Sequence, residues 1–143
     1  RTEIDASYYR QKQAEEEGRL EFSGHPDTVN KQLFIEMLEL FKKHTLVKCF
    51  PVTGRMHQIR AHLAHHQAPI ISDPAYNGED TFLSELKRNY NHKKWEEENP
   101  MINRVALHSY QVAFKDLDGE VVEAEAEYRK DFSVLLKLLR KFN

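Results

Sequence analysis

Two arginines and four histidines fall within the twelve residues from Arg55 to His66, directly behind Pro51-Val52-Thr53-Gly54. A guanidinium keeps its charge and seeks a carboxylate, a phosphate or several carbonyls. Free N–H groups at a helix start, with a cation beside them, can hold phosphate. Thr53, Gly54 and Arg55 have that composition. His62 and His66 stand at i and i+4, a spacing that metal ligands use, yet no acid lies nearby at ligand spacing. A surface histidine pair is the commoner case, and no metal is expected.

These side chains need a helix to aim them. Thr53 is a good N-cap, ahead of Met56, Ile59 and Leu63 at helical spacing. At ~100° per residue from Met56, Leu63 lies near −20°, Ile59 near −60° and Ala64 near +80°. That arc is the expected buried face. Arg60 falls inside it, near +40° on the same count. Gln58, His62 and His65 are expected to point to solvent, with His57 at the edge. A core-facing arginine is either half of a structural ion pair, or snorkelling along its stem, or the orienter of a functional carboxylate at a cleft.

The flanking elements follow from pattern. Residues 3–19 are polar and read as a short surface helix. In residues 31–52 a helical face (Leu33, Met37, Leu40, Phe41) competes with strand alternation, and a hairpin turning at Lys42–His44 is preferred. Residues 79–98 read as a charged helical segment closed by Asn99-Pro100, a solvated excursion from the core. Farther on, residues 104–116 and 121–128 flank Asp118-Gly119, a hairpin signal, with Glu123, Glu125 and Glu127 on the wet face. Asp131 is expected to cap a last helix with Phe132, Leu135, Leu136, Leu139 and Phe142 on one side.

Composition limits the classes. The 143 residues fit one domain or part of one, and no apolar run approaches the ~20 residues of a membrane span. A lone cysteine, Cys49, fits a reducing cytoplasmic setting rather than a disulfide framework. With a net charge of −2, any nucleic-acid binding must rest on a local patch.

The stretch PVTGRMHQIRAHLAHHQAPIISDPAYNG, from Pro51 to Gly78, resembles the signature of the RluA-type RNA pseudouridine synthases. The matching positions are Pro51, Thr53, Gly54, Arg55, His57, Gln58, Ile59, Arg60, His62 and Leu63, then Pro69, Ile70, Asp73 and Tyr76. LHSYQVAF at 107–114 and YRKDFSVLLKLL at 128–139 resemble later family elements, so similarity covers about residues 45–143. Met56, Ala68 and Ser72 depart from the pattern, the last two where the family has glycine.

The resemblance implies an α+β fold with one mixed, mostly antiparallel sheet and flanking helices. It implies isomerisation of uridine to pseudouridine in structured RNA, ribosomal or transfer, with no cofactor. Arg60 would be catalytic, holding an ionised Asp nucleophile; Thr53, Gly54, Arg55, His57 and Gln58 would contact RNA. The family's His-Arg-Leu-Asp motif has no counterpart here, since Asp5 and Asp27 stand in other contexts. Together with Arg1 as first residue, this suggests the C-terminal portion of a single catalytic domain, inactive by itself. The alternatives are a non-catalytic RNA-binding module of the same fold and, more remotely, a histidine metallohydrolase.

Overall fold

The computed structural model describes residues 19–22, 33–51, 57–87, 90 and 97–142. The chain divides into two compact units. One comprises Arg1–Ile70 with Pro74–Gly78, the other Ile71–Asp73 with Glu79–Asn143. The class is α+β. Its described strands pair antiparallel, in a three-stranded and a two-stranded sheet, in keeping with the mostly antiparallel pairing expected.

In the first unit β1 (Arg19–Phe22), β2 (Leu33–Leu40) and β3 (Thr45–Pro51) form a three-stranded sheet with β2 in the centre. The competition between helix and strand in this segment is resolved by the ladder. Leu33 pairs with Pro51, Ile35 with Cys49 and Met37 with Val47, before a bulge between Met37 and Glu39. Leu33, Phe34 and Ile35 are buried in succession, where β2 has a neighbour on each edge. Beyond β1, Met37, Leu38 and Leu40 are exposed. The turn falls at the expected Lys42–His44, with the Phe41 N–H donating to the His44 carbonyl at 2.8 Å.

Helix α1 (Gln58–His65) lies against β2 and β3. It starts later than expected. Its N-cap is His57, at φ 56 and ψ 22, and a residue in the left-handed region cannot continue a right-handed helix. Thr53, the expected cap, lies outside the described residues, as does the expected helix over most of residues 3–19. The C-terminal end closes as a Schellman motif. The Ala68 N–H reaches the Leu63 carbonyl at 2.9 Å and the Gln67 N–H reaches Ala64 at 3.0 Å, with Gln67 at φ 61. The left-handed residue is therefore Gln67, and Ala68 in place of a glycine costs this turn nothing. A 3₁₀ turn, Pro74–Tyr76, follows and packs on α1.

In the second unit, β4 (Gln111–Lys115) and β5 (Val121–Glu125) form the expected hairpin. Gly119, at φ 79, takes the left-handed position of its turn. The Asp116 carboxylate accepts the N–H groups of Asp118 and Glu120, both at 2.9 Å. Helix α2 (Leu83–Leu86) is a single turn inside the charged excursion. Helix α3 (Lys130–Lys141) buries Phe132, Leu135, Leu136 and Leu139, the i, i+3, i+4, i+7 stripe read from the sequence. Its N-cap is Arg129, not Asp131. Asp131 sits one residue inside the first turn, where its carboxylate accepts the Phe132 N–H at 2.8 Å and faces the positive end of the helix dipole.

Two further ties shape this unit. Ser72, buried and at φ 59, stands at a position where the backbone favours glycine. Its hydroxyl lies 2.6 Å from Asp80 Oδ1 and 3.0 Å from the Ile102 carbonyl, and its one proton serves one of them at a time. His108 Nε2 bonds the Ala126 carbonyl at 2.9 Å, and its ring joins Tyr110, Tyr128 and Phe132 in an aromatic cluster.

Candidate functional site

The site forms where α1 meets the 3₁₀ turn. His57, the N-cap residue, and Arg60, three residues farther on, both reach Tyr76. Tyr76 ends the turn opposite them, and the chain leaves through Asn77 at φ 65, a left-handed conformation that asparagine tolerates. The Arg60 guanidinium carbon stands 5.0 Å from the centre of the Tyr76 ring. The cation thus rests on the negative face of the aromatic quadrupole. His57 meets the same ring edge-on, at 5.8 Å and 89°, and its Nδ1 lies 3.1 Å from the Tyr76 hydroxyl. One tyrosine therefore contacts both basic groups.

Arg60 is half-buried, as its place on the helical stripe predicts, and His57 is exposed. Thr53, Gly54 and Arg55 lie outside the described residues. Two side chains depart from the expectation. Gln58 and His62, expected in solvent, are 6% and 1% exposed. Leu63 is buried as foreseen, and His65 is exposed. The stripe was centred on Met56, ahead of the first helical residue, and α1 is covered over a wider arc than one stripe because β2, β3 and the 3₁₀ turn all contact it. His62 Nδ1 bonds the Gln58 carbonyl at 2.8 Å, so that nitrogen carries the proton. Its Nε2 is buried and has no hydrogen-bond partner among the described residues.

In the sequence, Asp73 and Tyr76 stand out only as matched positions of the family motif. Asp73 is fully buried and is not without a partner. The stacking of Arg60 on Tyr76 needs a turn that returns the chain to α1, which no local pattern announces. His65 and His66 meet edge-on at 5.1 Å. The pKa of His66 is lowered, first by lost hydration and then by the neighbouring His65 and His62. Among the described residues no group of three or more His, Cys, Asp or Glu side chains converges as metal ligands would.

The RNA pseudouridylate synthase family matches residues 3–65, reaching farther toward the N-terminus than the similarity read from the motifs. Over 132 residues the chain is 31% identical to "Ribosomal large subunit pseudouridine synthase D" of Xanthomonas campestris, covering 86% of this chain and 36% of that protein. The protein of the same name in Neisseria meningitidis serogroup B is 30% identical over 127 residues, covering 85% of this chain and 30% of its own length. "Uncharacterized RNA pseudouridine synthase YlyB" of Bacillus subtilis is 33% identical over 116 residues, covering 80% and 32%. The chain spans about a third of the length of these relatives. The motif from Pro51 to Tyr76 and these matches agree: over most of its length the chain is similar to the RNA pseudouridine synthases of the RluA type.

Proposed function

We propose that the protein carrying this chain isomerises uridine to pseudouridine in ribosomal RNA, with residues 1–143 contributing part of one catalytic domain. The relatives' names support the substrate class. Transfer RNA is the remaining candidate. The observation that carries the reading is the placement of Arg60: half-buried, in the matched motif, and stacked on Tyr76.

In this reading Arg60 directs a nucleophilic carboxylate supplied from outside the described residues. That carboxylate must be ionised to attack the flipped uridine, and an adjacent guanidinium favours the ionised form and fixes its direction. The glycosidic bond then breaks, and the base turns and rejoins through carbon. Extruding the base costs a few kcal/mol, which contacts to the backbone must offset. His57, exposed beside Arg60, is suited to that task, with Thr53, Gly54 and Arg55 ahead of it. Gln58 belongs to the inner side of the site, since it is buried. The chemistry calls on no metal or organic cofactor, and the cytoplasm is the expected setting. No described helix is long and apolar enough to cross a membrane.

The test is release of tritium from the uracil C5 position of labelled large-subunit RNA by the intact gene product, run beside filter binding. Turnover is expected. Binding without release would favour a non-catalytic RNA-binding module.

A further inference from the structure

We propose that Tyr76 is a positioning residue for Arg60, its ring setting the guanidinium's direction while its hydroxyl is tethered to His57. The proposal rests on the catalytic reading of Arg60. It deepens that reading by assigning a role to a residue outside the helix.

The geometry has three parts. A guanidinium on a four-bond stem samples many rotamers, and ordering it costs entropy. A π face 5.0 Å from its central carbon restricts those rotamers, and stacking itself engages none of the N–H donors. The ring is itself held. The hydroxyl lies 3.1 Å from His57 Nδ1, and His57 is the N-cap residue of α1. Both ends of the arrangement thus trace to α1, with Tyr76 bridging residues three apart on that helix. Stacking addresses the face of the guanidinium and an in-plane carboxylate addresses its edge, so the two contacts are compatible.

The experiment compares Tyr76→Phe, Tyr76→Leu and Arg60→Met in the intact gene product. Misplacing a catalytic group by about an ångström lowers turnover by roughly 100-fold, so Tyr76→Leu is expected to reduce kcat by roughly 10- to 100-fold with KM for RNA unchanged. Tyr76→Phe keeps the ring and should recover most of that loss. If Tyr76→Leu does not fold, Tyr76→Met, with comparable volume and no π face, takes its place. Proton NMR supplies a readout independent of turnover. The Arg60 side-chain methylenes should shift upfield in the ring current of wild type and Tyr76→Phe, and lose that shift in Tyr76→Leu. A raised KM with unchanged kcat, unchanged kinetics, or no ring-current shift in wild type would each overturn the role of Tyr76. Full activity in Arg60→Met would instead remove the catalytic reading of Arg60, while the NMR result still decides whether Tyr76 orders it.

Discussion

Arg104 grips Asp131 across 27 residues of sequence, its Nε donating to Oδ2 at 2.6 Å and its terminal nitrogen to Oδ1 at 2.9 Å. The remaining guanidinium nitrogen bonds the carbonyls of Val105 and Leu107 at 3.2 and 3.1 Å. One fork thereby ties the segment before β4 to the first turn of α3.

This pair should be visible in acid. The hydrogen bonds from Arg104, and after them the Phe132 N–H, lower the Asp131 pKa from its ordinary 3.8 to about 2. The folded state therefore holds this proton less tightly than the unfolded chain. The stabilisation is complete above the ordinary value and is lost as pH falls from about 4 to about 2. Denaturant titrations at stepped pH should show Asp131→Asn less stable than wild type at neutrality, with the difference closing across that window. A difference that stayed constant down to pH 2 would mean that the fork does not act through the carboxylate's charge.

Two positions in the same backbone region should respond with opposite sign. Gln67 at φ 61 has no described side-chain bond that a glycine would forfeit. Removing its Cβ should raise stability by up to about 1 kcal/mol, the left-handed penalty less the entropy gained by the unfolded chain. Ser72 at φ 59 carries a hydroxyl bonded at 2.6 Å to Asp80. Ser72→Gly should lower stability by roughly 1 kcal/mol, because the lost hydrogen bond outweighs the relieved strain. Thermal melts of the two variants provide the check.

Cys49 is expected to be a slow thiol. Burial pushes its pKa up to about 11. At pH 8 about one thiol in a thousand is then ionised, and the thiolate is the reacting species. Labelling by a disulfide reagent should be much slower in the native protein than in urea. Equal rates would place Cys49 in contact with water.

The ring of His62 should carry its proton on Nδ1, because that nitrogen faces the Gln58 carbonyl at 2.8 Å and a carbonyl can only accept. Long-range proton–nitrogen correlation identifies the tautomer. Finding the proton on Nε2 alone would reverse the assignment of this buried side chain.

Features that depend on neighbours in sequence were legible. Asp118-Gly119 marked the second hairpin, residues 42–44 marked the first turn, and the spacing of Phe132, Leu135, Leu136 and Leu139 marked α3. Arg60 stood out because a charge on an apolar stripe needs a reason. Features that depend on distant partners were not legible. Arg104 gives no local sign that it will meet Asp131, and Tyr76 gives none that it will lie over Arg60. His62 and Gln58 were placed in solvent because a single-stripe wheel assumes one covering surface, whereas α1 has several. The left-handed backbone of His57 moved the helix start, and a non-glycine residue in that region is seldom forecast from type alone.

The part played by the Arg60 guanidinium is measured most directly by tritium release from labelled large-subunit RNA by Arg60→Met in the intact gene product. Removing a preorganised charged partner should lower kcat by roughly 100-fold or more, with the thermal melt and RNA affinity retained. Turnover within a few-fold of wild type, in a folded variant that still binds RNA, would contradict the assignment.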